Sequence, residues 1–219
     1  MTQLSSQTIA ILQNFAAINQ NLLVDPDKPL GTISATKSII AQADIEDTFP
    51  VEFGIYDLNE FLTAINLVGA DAELDFGDKS VKIAGNGSRI EYFFSRAETL
   101  NVTLRSVKMP SEDATFTLTQ EVLNSLKKAS SVFGHKKVLI SDADGAITAR
   151  VADPANPTAS SFTQTIEGEA SDDGSFSFTL DIDNLKLFPG DYAVTYASAG
   201  IVQFVNTAQP IRYWVAVEK

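Results

Sequence analysis

The stretch Leu4-Ser5-Ser6-Gln7-Thr8-Ile9-Ala10-Ile11-Leu12 near the start of the chain is repeated in pattern by Leu118-Thr119-Gln120-Glu121-Val122-Leu123-Asn124-Ser125-Leu126, at a constant offset of 114 residues. Both stretches carry large apolar residues at matching positions with polar residues between them, which is the spacing of an amphipathic helix. The matching residues are Leu4 and Leu118, Ile9 and Leu123, and Leu12 and Leu126. The repeat predicts that one structural unit occurs twice in the chain.

The repeat continues beyond this helix. Phe53-Gly54-Ile55-Tyr56-Asp57-Leu58-Asn59 corresponds to Phe178-Thr179-Leu180-Asp181-Ile182-Asp183-Asn184-Leu185, and each segment reads as a strand that runs into an Asp or Asn helix start. Both halves then end in strands with an aromatic cluster, at Ile90–Phe94 and Ile211–Val215. The pattern predicts two similar domains, over 1–108 and 109–219.

Local patterns predict the elements of each copy. Helices are expected over 4–20 and 58–68 in the first copy, and in the second copy from the N-cap Thr119 to about Phe133 and over 182–187. Short alternating segments between them predict antiparallel strands. The fold class is therefore α+β, with antiparallel sheets and two helices on one face of each copy.

The connector between the copies spans about 98–117. Within it Val102-Thr103-Leu104-Arg105-Ser106-Val107 alternates as an edge strand does. An unpaired flat edge invites aggregation, so the strand either pairs with a neighbouring subunit or closes the sheet between the domains. Proline at Leu104 would then lower the stability of the contact between subunits if the first role is correct.

Composition excludes several classes of protein. The chain of 219 residues has no cysteine, which excludes disulfides and thiolate metal sites, and its N-terminus lacks the basic and apolar regions of a secretion signal. No run approaches the length of a membrane span. A cytosolic location is expected. The net charge is −12, with 8 Lys/Arg and 14 Asp/Glu in each half, so that binding to nucleic acid would depend on where the positive charges lie.

No catalytic constellation is present in the sequence. The lone His135 follows Gly134 at a predicted helix end, where capping or solvation explains it better than catalysis. Asp142-Ala143-Asp144-Gly145 resembles the start of a calcium loop but lacks the distal Glu ligand, and a hairpin turn explains it. We therefore predict a protein that is not an enzyme and that uses no metal and no cofactor.

Four lysines stand out against the acidic background. Lys127, Lys128, Lys136 and Lys137 fall on and just after the first helix of the second copy. They could be a solvated helix face with cations near its C-terminus, or a surface that contacts phosphates without reading sequence.

Several segments resemble the DNA polymerase sliding clamps of T-even-type phages. The run Ile55-Tyr56-Asp57-Leu58-Asn59-Glu60-Phe61-Leu62 is the most specific of them. It is accompanied in order by 12–19, 184–192 and 213–218, while about 95–175 matches only in pattern. The resemblance implies a head-to-tail homotrimer whose six domains form a ring around duplex DNA, with helices lining the bore and sheets outside.

The implied function is to tether the replicative DNA polymerase for processive synthesis in phage DNA replication, in the host cytoplasm. The implied partners are double-stranded DNA, the polymerase, a clamp loader and late-transcription factors. The four lysines would face the DNA. Family members carry lysines on the first helix, where this chain has Ser6 and Gln13, which makes Lys127 and Lys128 the stronger candidates. The alternative is a phage structural or assembly protein whose duplicated β-rich domains form a ring or sheath without DNA.

Clamps of this family bind short C-terminal peptides of their partners in an apolar pocket near the connector. Seven apolar or aromatic residues are candidates for this pocket: Met109, Pro110, Phe188, Pro189, Tyr213, Trp214 and Val215. Strand alternation puts Tyr213 and Val215 on one face and Trp214 on the other, so they cannot all line one pocket. Trp214 is equally well explained as a core residue.

Overall fold

The computed structural model describes residues 2–69, 71–100, 102, 107–143, 145–168 and 176–218. The chain divides into two compact units, Met1–Arg105 and Ser106–Lys219, close to the boundary expected after residue 108. The edge strand expected over Val102–Val107 lies outside the described residues except at its two ends.

Unit 1 contains two helices among its described residues. Helix α1 spans Ser6–Ile18, shorter at both ends than the expected 4–20. It begins at Ser6 because the Ser5 side chain caps it by accepting a hydrogen bond from Thr8 N at 3.1 Å, and it ends at Ile18 because Asn19 is extended. Helix α2 spans Leu58–Val68, with Asp57 as the expected N-cap. Each helix buries its apolar stripe in the core of the unit and leaves its polar side exposed.

The strands of unit 1 form small antiparallel groups in which β1 pairs with β4, β2 with β3, and β6 lies between β5 and β7. These strands are β1 (Leu22–Val24), β2 (Leu30–Ile33), β3 (Ile39–Ala43), β4 (Phe53–Ile55), β5 (Glu73–Phe76), β6 (Ser80–Gly85) and β7 (Ser88–Phe93). A single 3-10 turn, Ala97–Thr99, follows β7. The chain before α1 returns to this sheet, since Thr2 and Leu74 exchange backbone hydrogen bonds of 2.8 Å.

Unit 2 is dominated by one antiparallel sheet, with strands in the order β12-β9-β10-β11-β8-β13-β14-β15. These strands are β8 (Ala114–Leu118), β9 (Lys137–Ala143), β10 (Ala146–Ala152), β11 (Phe162–Gly168), β12 (Ser177–Asp181), β13 (Tyr192–Ala197), β14 (Ile201–Asn206) and β15 (Ile211–Ala216). The last four residues of the expected connector, 114–117, therefore belong to strand β8 rather than to a linker.

Helix α3 spans Gln120–Phe133 and packs on this sheet. Thr119 caps it by accepting from Val122 N at 3.2 Å, and it ends at Gly134, whose φ of 72° is a left-handed conformation that glycine adopts without steric cost. The N-caps Ser5 and Thr119 stand 114 residues apart, so the register of the repeat is confirmed for its first helix.

The prediction of a second helix in unit 2 is wrong. Only a 3-10 turn, Ile182–Asn184, forms where 182–187 was expected to be helical, after Asp181 caps its start. Leu185 and Leu187 are buried while Lys186 is exposed, which is the alternation of extended chain. Pro189 disfavours helical backbone at the residue before it, so a longer helix has no room to form.

Candidate functional site

The exposed face of α3 is polar. Val122, Leu123, Leu126 and Ala129 point into unit 2, and the opposite side presents uncharged polar residues together with Glu121 and Lys128. The uncharged polar residues exposed on this side are Asn124 and Ser131, with Gln120 partly exposed, and the apolar Val132 near the C-terminal end of the helix is 68% exposed. A shallow depression on this side is lined in part by Asn124, Ser125 and Lys128.

Lys127 and Lys128 occupy different positions on this helix. Lys128 is exposed in the middle of the polar face. Lys127 lies at its flank and is partly buried, and this burial lowers the pKa of its ammonium group below the usual value. The Lys128 side chain is therefore open to an anion that approaches the helix from outside the unit, and the Lys127 side chain is open to it in part.

The other two predicted lysines are engaged in ion pairs. The Lys136 ammonium group contacts the Asp183 carboxylate. The Lys137 ammonium group lies 2.7 Å from Glu218 and 3.1 Å from Asp181. These hydrogen bonds raise the pKa of both lysines. The structure therefore separates the four lysines into one helical pair and one pair whose charge is largely balanced.

Two remote carboxylates hold the first turns of α1 and α3. Asp47 Oδ2 accepts from both Ser5 N and Ser5 Oγ at 2.8 Å, and Asp191 Oδ1 accepts from Gln120 N at 2.7 Å. Burial of Asp47 alone would raise its pKa, but hydrogen bonds from Thr8 and Ser5 outweigh it and hold the pKa below the usual value. No sequence pattern predicts these contacts, because each joins residues more than 40 positions apart.

The candidates for the peptide pocket are only partly brought together. Tyr213 and Val215 are fully buried, while Phe188 is partly exposed and Pro189 is exposed. Tyr213 Oη accepts from Phe188 N at 3.0 Å, and the Tyr192 hydroxyl donates to the Phe188 carbonyl. Burial raises the pKa of both tyrosines, that of Tyr192 to about 12, so the hydroxyl groups stay protonated. The two tyrosines thus position the Phe188 loop from beneath.

The remaining pocket candidates differ in their exposure. Trp214 is 4% exposed, and within the described residues its Nε1 has no hydrogen-bond partner. Met109 is partly exposed and Pro110 is exposed. Among the described residues, no hydrogen bond or aromatic ring contact links these three residues to Phe188 or Pro189.

The features weighed as catalytic or metal-binding have other roles in the described parts of the chain. His135 Nε2 lies 3.0 Å from the Ser160 carbonyl oxygen, and its ring stacks on Phe133. Ala143 and Ala146 pair where β9 turns into β10, at the suspected calcium loop. Among the described residues, no group of three or more His, Cys, Asp or Glu side chains is placed to hold a metal ion. None of the described helices is long and apolar enough to cross a membrane.

Solved structures show which fold these units form. The chain is similar to the Proliferating Cellular Nuclear Antigen of Entamoeba histolytica, with a TM-score of 0.67 and 12% identity over 97% of this chain and 95% of that one. It is equally similar to A. fulgidus PCNA solved with the C-terminal region of FEN-1 bound, with a TM-score of 0.67 and 12% identity over 96% and 94% of the two chains. The fold is that of the DNA clamps.

Sequence comparison identifies the family. Residues 5–98 match the family model of the DNA polymerase processivity factor. The sliding clamp of Vibrio phage KVP40 is 35% identical over 99% of both chains. The chain belongs to the phage sliding clamps, which are non-enzymatic processivity factors of DNA replication.

Proposed function

We propose that this sliding clamp forms a head-to-tail homotrimer that encircles duplex DNA and tethers the replicative DNA polymerase. The exposed polar face of α3 carries the proposal, because it presents Lys127 and Lys128 in a chain whose net charge is −12. A clamp that slides needs few and weak phosphate contacts, with no contact that depends on base sequence. An acidic exterior would restrict bound DNA to the face that carries the lysines.

Lys127 and Lys128 are the principal DNA-facing residues in this proposal. Lys136 and Lys137 take a secondary part, because a phosphate would have to compete with Asp183, Asp181 and Glu218 for their ammonium groups. Exposed ion pairs contribute little free energy, so such an exchange is feasible for Lys136.

Two strand edges support a head-to-tail contact. In the described part of unit 1, β7 is the last strand of its sheet and pairs only with β6. In unit 2, the pairing of β8 with β11 includes only Glu167 and Gly168 of β11. A head-to-tail contact needs two different surfaces, and pairing β7 of one copy with β11 of the next would cover both edges and close a ring.

Two measurements test the ring. Native mass spectrometry or sedimentation should give three times the 23.6 kDa chain mass. Polymerase extension on a primed circular template should become more processive when the clamp is supplied with a clamp loader and ATP. A stable trimer without this stimulation would instead support the alternative, a phage structural or assembly protein, which family membership disfavours.

The partner pocket is proposed to centre on Phe188 and Pro189, with Met109 and Pro110 of the connector, and with Tyr213, Trp214 and Val215 beneath or beside it. The exposed position of the Phe188 loop supports this assignment. A structurally similar clamp, A. fulgidus PCNA, binds the C-terminal region of FEN-1. The further partners proposed are the clamp loader and late-transcription factors, all in the cytoplasm of the phage host.

Phe188→Ala should weaken binding of the polymerase C-terminal peptide by about 1–3 kcal/mol, because a few buried apolar side chains supply most of the affinity of a short peptide. Tyr192 and Tyr213 hold the backbone of Phe188, so the loop should keep its position in the variant. The protein should also remain a trimer. Isothermal titration calorimetry measures the effect. Unchanged peptide affinity in both Phe188→Ala and Met109→Ala would show that the pocket lies elsewhere.

A further inference from the structure

Asp113 holds the end of the connector to the sheet of unit 2. Residues 107–113 form no regular secondary structure and lead into β8 at Ala114. In the described part of this segment, Asp113 supplies the hydrogen bonds to the sheet. Its Oδ2 accepts from Ser198 N at 2.6 Å, and its backbone N donates to the Tyr196 carbonyl oxygen at 2.9 Å. The connector is therefore fixed at the point where β13 runs into its turn.

The groups bonded to Asp113 belong to a well-packed part of unit 2. Tyr196 is 9% exposed, and its ring stacks on that of Phe178 with the centroids 4.2 Å apart. The turn that follows β13 closes through a hydrogen bond of 2.9 Å from Gly200 N to the Ala197 carbonyl oxygen. Packing and the closed turn both keep these groups in place, so Asp113 is tied to a rigid point.

The Asp113 carboxylate is engaged although its side chain is exposed. Besides Ser198 N, the same oxygen accepts from Ser111 Oγ at 2.8 Å. The hydrogen bonds from Ser198 and then from Ser111 hold the pKa of this carboxyl below its usual value, so the group is ionised at neutral pH. Hydrogen bonds to an ionised acceptor are stronger than those between neutral groups. The adjacent carboxylate of Glu112 is exposed and takes no part in these contacts.

This attachment restricts where Met109 and Pro110 lie. Met109 precedes Asp113 by four residues, a length of chain that spans at most about 14 Å when fully extended. Pro110 has a fixed φ and disfavours helical backbone at Met109, which stiffens the segment. Because the segment is held at Asp113, the two apolar side chains stay within a short reach of the turn between β13 and β14.

We propose that Asp113 is a positioning residue for partner binding, whose contact with Ser198 N holds the connector so that Met109 and Pro110 can receive the apolar side chains of a partner peptide. The inference rests on the proposed partner pocket and adds to it a residue that lies outside the pocket. A connector that is already ordered loses less conformational entropy when the peptide binds. Apparent affinity falls in proportion to the fraction of molecules whose connector is in the competent position.

Asp113→Ala should release the connector without unfolding unit 2. Affinity for the C-terminal peptide of the polymerase should fall about 2- to 10-fold, which corresponds to a competent fraction of about one half to one tenth. Trypsin should cleave faster after Lys108, which is exposed in the same segment. Calorimetry on the full chain and the time course of native tryptic cleavage, followed by mass spectrometry, measure these two effects. The urea midpoint should stay close to that of the control.

Glu112→Ala is the matched control, since it removes the neighbouring exposed carboxylate, and it should leave peptide affinity and cleavage rate unchanged. Asp113→Asn is the conservative variant. Both side-chain hydrogen bonds of Asp113 end on Oδ2, so the amide oxygen of asparagine can accept them and most of the affinity should return.

Three results would overturn the inference, and they differ in what else they contradict. If cleavage after Lys108 is no faster in Asp113→Ala than in Glu112→Ala, Asp113 does not hold the connector. If Met109→Ala weakens peptide binding whereas Asp113→Ala does not, the inference alone fails and the pocket stands. If Met109→Ala and Phe188→Ala both bind the peptide with unaltered affinity, the proposed pocket fails and the inference fails with it.

Discussion

Replacing Leu12 by alanine is expected to lower the free energy of unfolding by about 2–5 kcal/mol, one of the two largest effects predicted for this protein. Leu12 is 1% exposed, on the buried stripe of α1 beside Ile11 and Phe15. Truncation removes the buried methyl groups and leaves a cavity that the packed core fills only in part. Urea denaturation followed by circular dichroism measures the change.

Leu67→Ala is the matched control, since it makes the same substitution in α2 at a side chain that is 77% exposed. Its effect should stay within about 0.5 kcal/mol, as is usual for surface positions. Equal losses of stability in the two variants would show that the stripe of α1 does not form the core of unit 1.

Reversing the charge of both Lys127 and Lys128 to glutamate is expected to abolish most of the stimulation of polymerase processivity while leaving the trimer intact. Both positions lie away from the buried residues of α3, so the fold should persist. For each chain that contacts phosphates, the slope of log affinity for DNA against log salt concentration should become about 1.8 shallower. The new carboxylates should also repel the duplex. Primer extension with loader and ATP, together with native mass, measures the two outcomes.

Lys79→Glu/Lys82→Glu is the control for this variant. It makes the same change in net charge at two exposed lysines next to or on β6 of unit 1. Normal processivity in Lys127→Glu/Lys128→Glu, or an equal loss in the control, would refute a specific role for the helical pair. An equal loss would point to the net charge of the clamp instead.

Local sequence predicts a helix correctly where an N-cap residue is followed by apolar residues at helical spacing. Thr119 and Asp57 were identified as N-caps and are confirmed, because a side-chain oxygen satisfies backbone N–H groups two or three residues away and needs no distant partner. The same reasoning failed over 182–187. There the Asp181 cap formed, but burial of Leu185 and Leu187 in unit 2 and the proline at 189 favoured extended chain.

The lysines show a different limit of sequence reasoning. Their closeness along the chain suggested one cluster, yet Lys137 contacts Asp181 and Glu218, which are 44 and 81 positions away. A remote partner of this kind leaves no periodic or local signal. The helix period, by contrast, already placed Lys127 and Lys128 away from the apolar stripe.

The sequence by itself determined the duplication, the first helix of each unit, and the family, because these depend on short-range periodicity, capping and ordered motifs. Only the tertiary structure decided which lysines are engaged by carboxylates, how Asp47 and Asp191 hold the helix starts, and how Tyr192 and Tyr213 position Phe188. Each of those outcomes depends on atoms that folding brings together from distant parts of the chain. Burial and hydrogen bonds together then set the pKa values of these groups, and no local pattern contains that information.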